Sequence, residues 1–293
     1  MEPLFRAISI TAPETDLNSF DIITDRRNMR ALMDFVSYRG EKQREFRFDA
    51  EIVGNSAILS RWIDWESRRF SAGYGKEFEN KFTNSPNCSK GSLVHKRAVG
   101  YTLGGLRIMV RSEVDACLEA PLEASEVEDF VITPNGHRLI LKGALSKAEE
   151  VVEIKTTAIT EKNPKGPPAS SRTLAQMWLS RTPILCQGFH KDGVFERVEV
   201  ANLQDENKLG EWENRDKKRI ANLVEVLRRL KEIMKGVSEE RFAVVCEYGS
   251  HCLKVYTLED AYAFGLPQDL REKWRGGKGE PGQLVGSMER LSI

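Results

Sequence analysis

The chain has 293 residues, of which 30% are charged and 40% hydrophobic, with 44 Lys plus Arg balanced against 44 Asp plus Glu. That length gives room for one sizeable core or two small ones, in a composition typical of globular proteins. The charge balance excludes the bulk basic signature of a protein that coats nucleic acid, though not an enzyme that grips one chain end.

Phe20 to Val36 begins as an apolar stretch and continues at helical spacing through Met29, Leu32, Met33 and Val36. Phe46 to Leu59 alternates like a strand pair turning at Gly54-Asn55. Glu66 to Phe82 reads as a helix interrupted near Gly73 and Gly75, and Asn84 to Ser92 as a loop. Leu93 to Met109 reads as helix or strand with a turn at Gly104-Gly105, and Leu106 to Cys117 as a strand. Phe130 to Leu141, broken by Pro134-Asn135-Gly136, reads as a hairpin. Glu149 to Ala158 is rich in β-branched residues and predicts a central strand. A Pro-rich loop, Glu161 to Arg172, leads to a short helix at Leu174 to Thr182 and a strand at Ile184 to Phe189. Gly188 to Val200 predicts a hairpin turning at Lys191-Asp192-Gly193. Arg215 to Lys235 is the clearest helix, with Ile220, Leu223, Val224, Leu227, Leu230 and Met234 on its apolar face and Gly236 at its end. Phe242 to Thr257 predicts two more strands, and Trp274 onward a Gly-rich tail.

The whole predicts one α+β domain over residues 1–274, with mixed β-sheets and flanking helices, and a flexible tail over 275–293. No apolar run approaches the roughly 20 residues that span a bilayer, so no membrane partner is expected. Met1 to Asp21 lacks the layout of a secretory signal, which makes an intracellular location the expectation. Cys88, Cys117, Cys186, Cys246 and Cys252 form no CxxC pair, which argues against a disulfide framework or a structural zinc site. The scattered histidines His95, His137, His190 and His251 read as structural or exposed.

The chemistry is carried by acids on strands. In Glu113-Val114-Asp115, strand alternation sends both carboxylates to one side. Two adjacent carboxylates repel, and a divalent cation is the usual remedy when they are buried. Taken alone, the triplet reads as a solvated strand face. Glu153-Ile154-Lys155 repeats the spacing on a strand surrounded by Val151, Val152 and Ile154, where an acid and an amine need partners. Held near Glu113 and Asp115, these groups would give oxygens for Mg²⁺ and an ammonium for a phosphate or an attacking water. An E-x-D strand followed by an E-x-K strand is the arrangement of the PD-(D/E)XK nuclease superfamily. Ser125 to Asp129 (SEVED) imitates it without an apolar strand around it.

Further segments, in order, resemble the DXO-type decapping exonucleases, which include the fungal partner proteins of the nuclear 5′–3′ exoribonuclease. Asp21 to Met29 resembles the segment whose arginine contacts substrate, Arg26 taking that place. Gly75 to Glu79 resembles the glycine-to-glutamate motif, Leu103 to Cys117 the E-x-D strand, and Glu153 to Thr156 the E-x-K strand. Gln176 to Phe189 resembles the glutamine-led helix and the strand ending in Gly-Phe. Asp25 stands where the family often has tryptophan, and the stretch from Asp115 to Glu153 is long.

The resemblance implies a PD-(D/E)XK nuclease-like core and a metal-dependent hydrolase of RNA 5′ ends. Glu79, Asp115, Glu153 and the main-chain carbonyl of Ile154 would hold one or two Mg²⁺ ions, with Mn²⁺ as a substitute, and Glu113 would assist through a metal-bound water. Lys155 and Gln176 would position water and phosphate, and Arg26 would clamp a neighbouring phosphate; Arg26, Glu79, Lys155 and Gln176 are the substrate-facing set. Implied substrates are RNAs with incomplete, NAD-type or triphosphate 5′ ends, with 5′–3′ exoribonuclease activity alongside. A 5′–3′ exoribonuclease is the implied partner, and the nucleus is favoured over the cytoplasm. Two other classes stay open: a weakly catalytic or non-catalytic protein that stabilises an exoribonuclease, and a PD-(D/E)XK DNA nuclease.

Overall fold

The computed structural model describes residues 1–37, 43–62, 73–84, 94–118, 129–133, 136, 138–141, 150–259 and 265–274. Helix α1 (Glu2–Thr11) and a single 3-10 turn (Leu17–Ser19) precede strand β1 (Ile22–Asp25), which runs directly into helix α2 (Arg26–Phe35). Strands β2 (Phe46–Val53) and β3 (Ser56–Arg61) form the expected hairpin, with Gly54 at φ +57° in its turn. Helix α3 (Gly75–Phe82) follows. Strands β4 (His95–Leu103) and β5 (Leu106–Val114) are joined by Gly104 and Gly105 at φ +55° and +84°, the two left-handed positions that a tight hairpin turn requires.

The chain then leaves one sheet for another. Strand β6 (Ala116–Cys117) is followed by a two-stranded hairpin of β7 (Asp129–Ile132) and β8 (Arg138–Leu141), and then by β9 (Val151–Ala158). Helix α4 (Ser171–Ser180) crosses over to β10 (Ile184–Lys191), which pairs parallel to β9, and β11 (Val194–Asn202) folds back on β10. Helix α5 (Lys208–Lys235), strands β12 (Arg241–Cys246) and β13 (Leu253–Thr257) and helix α6 (Gln268–Trp274) complete the described chain.

The larger sheet has the order β13-β12-β2-β3-β1-β5-β4, with β1 parallel to both of its neighbours. The smaller has the order β11-β10-β9-β6. One face of the larger sheet packs on the apolar sides of α2, α4 and α5 through Met29, Leu32, Trp178, Leu179, Leu223 and Leu227. The opposite face carries Phe5, Ile23, Ile58, Leu270 and Trp274, which brings α1 and α6 together beneath it. Burying such side chains contributes about 1.5–3 kcal/mol each, so both faces are held.

Several expectations are corrected. Trp274, read as the start of the tail, is buried, with its ring centroid 4.8 Å from that of Phe5 and its indole N–H donated to Ser56 Oγ. Helix α5 begins at Lys208 rather than Arg215, because Leu209 and Trp212 continue its buried face. Helix α4 begins at Ser171, where Ser170 Oγ accepts the N–H of Thr173 as a cap. Helices α1 and α6 were not anticipated. The strand predicted over Leu106 to Cys117 breaks at Asp115, where the chain changes sheets. Residues 66–72 of the helix read over Glu66 to Phe82, residues 85–92 of the loop read over Asn84 to Ser92, most of the SEVED segment and the tail at 275–293 lie outside the described residues.

Candidate active site

Strand β6 is short. It pairs with β9 only at Ala116↔Val152 and Cys117↔Val151. Past Val152 that edge of β9 meets the residue where β5 gives way to β6, and the N–H of Ile154 donates to Asp115 Oδ2 at 2.8 Å. Asp115 is thus fixed against the main chain one residue beyond Glu153.

Glu153 is 2% exposed. Its Oε2 accepts from Arg26 Nη1 at 2.7 Å, and its Oε1 accepts from Lys155 Nζ and from Gln176 Nε2. Lys155 Nζ also reaches the carbonyl of Ile154 at 3.2 Å. Arg26 has a second partner, Ser180 Oγ, at 3.1 Å, and Arg30 Nη1 donates to Gln176 Oε1 at 2.9 Å. Because a side-chain amide can present either end, the Arg30 contact matters: it occupies the Gln176 oxygen and turns the NH₂ toward Glu153. Three elements therefore meet here: the N-terminus of α2, the buried face of α4 and the edge of β9.

The two carboxylates respond differently to this setting. Burial and the charge of Glu153 push Asp115 up to about 6, against the Ile154 N–H, Lys155 and Arg26. Burial also opposes ionisation of Glu153, but Lys155 and Arg26 outweigh it and hold that carboxyl below its usual range. Glu153 is a stable anion with two cations on it, and Asp115 is an anion short of one.

Sequence reasoning named Arg26, Asp115, Glu153, Ile154, Lys155 and Gln176, and the structure brings these together. Glu113 and Glu79 are not among the hydrogen-bonding partners of that group. Glu113 stays in β5, exposed and in register with Lys96 of β4. The strand alternation that linked Glu113 to Asp115 ends at Val114, one residue before Asp115. Glu79 pairs with Lys76 at 2.9 Å on α3. Among the described residues no group of three or more His, Cys, Asp or Glu side chains is placed to hold a metal ion. What is present is a two-carboxylate set with one carbonyl. Oxygen donors suit Mg²⁺, which keeps several of its own waters, and the charge deficit at Asp115 is what a divalent cation would relieve, so the residues fit such an ion. Arg30 and Ser180 were missed. Both stand four residues from a named site residue on the same helix, a spacing that shares a face, and that was the available signal.

Helix α3 is seated on the smaller sheet by the ring of Phe78, which lies over Gly188; a Cβ at Gly188 would come within 2.4 Å of that ring. Gly188→Ala is expected to displace α3 and destabilise the fold by about 1–2 kcal/mol, as overpacking does. A lower urea midpoint at unchanged slope would register it.

Beside the site lies a cleft of about 850 Å³, and Arg26, Arg30, Glu113 and Gln176 are on its wall. It opens at the carboxyl ends of the parallel strands β3, β1 and β5, the end at which open sheets commonly bind ligands.

Residues 1–274 match the model of a family described as "Domain of unknown function (DUF8563)". No curated protein matches. Solved structures share the fold. Candida albicans Rai1 in complex with pU5-Mn²⁺ superposes with a TM-score of 0.63 at 13% identity, covering 94% of this chain and 79% of that one. Scheffersomyces stipitis Rai1 in complex with (3′-NADP)⁺ and calcium ion gives 0.57 at 15%, covering 93% and 78%. K. lactis Dxo1 in complex with manganese gives 0.53 at 11%, covering 90% and 72%. The α+β architecture and the resemblance read from the motifs are thereby borne out at the level of fold.

Proposed function

Since the chain belongs to the DUF8563 family, whose description assigns no activity, we propose from its site that it is a divalent-metal-dependent hydrolase of RNA 5′ ends. The observation that carries this is the Asp115–Glu153 pair at the edge of β9, with Lys155, Gln176 and Arg26 on the same carboxylate. Support comes from the shared fold of Rai1 and Dxo1, whose solved structures hold pU5 with Mn²⁺, (3′-NADP)⁺ with calcium, or manganese.

In this reading Asp115, Glu153 and the Ile154 carbonyl hold one or two Mg²⁺ ions. When bound, such a cation lowers the pKa of a water and stabilises charge on phosphate oxygens. Lys155 supplies a positive charge beside the reacting phosphate. Gln176, its amide fixed by Arg30, orients water or phosphate through its NH₂. Arg26 offers a planar donor fork to a neighbouring phosphate. Glu79 from α3 and Glu113 from the cleft wall assist from outside the pair. Incomplete, NAD-type or triphosphate ends are the substrates, and a nuclear setting with an exoribonuclease partner belongs to the same reading. No helix among the described residues is long and apolar enough to cross a membrane.

The test is an assay of purified protein on NAD-capped, 5′-triphosphate and 5′-phosphate RNA, with a matched DNA. Release of 5′ products from RNA in Mg²⁺ or Mn²⁺, abolished by EDTA, is the expected result. Equal turnover of DNA would replace the reading with that of a DNA nuclease. No turnover of any substrate would leave a non-catalytic binding protein.

A further inference from the structure

An open sheet ends in strands with one unpaired row of main-chain N–H and C=O groups, and the edges of this protein differ. In the larger sheet the edge strand β13 is five residues long and carries Lys254. On the opposite edge, β4, Arg97 and Tyr101 donate to carbonyls at the end of α4. In the smaller sheet the edge strand β6 has only two residues. Strand β11, the other edge, has nine, and no described strand pairs with its outer side. It exposes Val194, Val198 and Val200 at 70%, 38% and 57%. A short edge or an edge lysine is a common block to pairing, and β11 has neither.

The register with β10 sorts the side chains of β11. Val198 and Val200 stand opposite Gly188 and Cys186, and the ring of Phe78 lies over Gly188, so both valines face the α3 side. Arg197, Glu199 and Ala201 face the other side, where Ala201 packs against the cluster of Met177, Leu185, Leu203 and Leu209. Along the strand Arg197 Nε and Glu199 Oε1 already pair at 3.1 Å, and both side chains remain exposed to solvent. The register slips between Phe189 and His190, so Glu196 is the extra residue of a bulge and regular pairing resumes at Arg197.

We infer that β11 is the contact surface for a second copy of this chain, the two four-stranded sheets joining edge to edge into one. The inference goes beyond the reaction proposed above and does not rest on it. A two-fold axis that sets the two edges antiparallel stands perpendicular to the sheet, so facing residues share a side and one residue meets its own copy. With Arg197 or Glu199 on the axis, like charges would oppose each other. With Val200 there, Glu199 would face Ala201 and Val198 would face Asn202. With Val198 there, valine meets valine on the α3 side, and on the other side Arg197 faces Glu199 twice, once from each copy. That register turns the pair within one strand into a closed square of alternating charges. Glu196 of the bulge then falls opposite Val200, where pairing ends. Because the contact is the same patch on both partners, it closes at two copies.

The test is analytical ultracentrifugation of the 293-residue chain over a concentration series at low salt. The wild type should pass from monomer to dimer with a Kd of about 10 µM, and added salt should weaken the dimer. E199R sets arginine against arginine across the axis and should weaken dimerisation by about tenfold or more. R197E sets glutamate against glutamate and should do the same. R197E/E199R exchanges the two signs, keeps them complementary and should restore the wild-type constant to within about threefold. An equal mixture of E199R and R197E should form the mixed dimer that neither forms alone, which also shows that each variant is folded. A wild type that stays monomeric up to about 100 µM would overturn the inference. So would a dimer that E199R leaves intact, assembly beyond two copies, or failure of both the exchanged variant and the mixture to dimerise.

Discussion

Glu153→Gln is expected to lower kcat/KM for RNA 5′-end hydrolysis by about 10³-fold, or roughly 4 kcal/mol of transition-state stabilisation. The replacement keeps the size of the side chain and its ability to accept a hydrogen bond. It removes the charge on which Arg26, Lys155 and Gln176 converge. A neutral amide is a poor ligand for a hard cation and gives Lys155 no fixed counter-charge, so both parts of the proposed chemistry fail together. There is also a structural effect, because the Arg26 guanidinium is mostly buried and loses its ionic partner. Breaking a buried pair from one side destabilises a fold by up to about 3–5 kcal/mol, a range that Ser180 Oγ and the retained amide oxygen reduce. The assay therefore needs a thermal melt beside it. A folded variant whose rate stays within tenfold of wild type would remove Glu153 from the reaction.

Asp115→Asn is expected to act oppositely on stability. In EDTA near neutral pH it should stabilise the protein by about 2–3 kcal/mol. In the fold, burial and then Glu153 raise the Asp115 carboxyl from 3.8 to about 6. Each unit corresponds to about 1.4 kcal/mol. The sign follows from proton uptake. Between about pH 4 and pH 6 the folded protein holds a proton that the unfolded chain has released, so stability falls as pH rises. The penalty is absent below that window and complete above it. Asparagine never ionises and should flatten the curve there. Glu153 works the other way, since its lowered carboxyl favours the fold above the ordinary carboxylate range and loses that contribution only in more acid solution. Mg²⁺ should then raise the melting temperature of the wild type, as any ligand confined to the folded state does, and leave Asp115→Asn unmoved. If Asp115→Asn proved the less stable protein in EDTA at pH 7, the hydrogen bond from Ile154 would outweigh the charge, and the argument for a cation there would fail.

Much of this fold can be read from residue order because it depends on local periodicity. The β-branched run of β9, the apolar stripe of α5 and the glycines of the β4–β5 turn each announce their element. Helices α1 and α6 do not. They are short, and what orders them is the contact of Phe5 with Trp274 across the far face of the larger sheet, a partnership separated by almost the whole chain. The same division runs through the site. Glu153, Lys155 and Gln176 sit in regular elements, so spacing placed them sensibly. Glu113 and Asp115 were assigned one face by strand alternation, yet the chain crosses between sheets at Asp115, and that crossing is a tertiary event. Arg30 holds another side chain, and its one sign in the sequence was its place four residues after Arg26 on the same helix.

One residue separates β5 from β6. Asp115 thus belongs to the joint between two independently packed layers, while Glu153 belongs to one of them. The gap between their oxygens is a mechanical readout of how those layers sit on each other, with α4 as the shim. Truncating Leu179 or Trp178, which pack into the core under the larger sheet, would let the shim settle and detune the proposed reaction without altering Asp115 or Glu153.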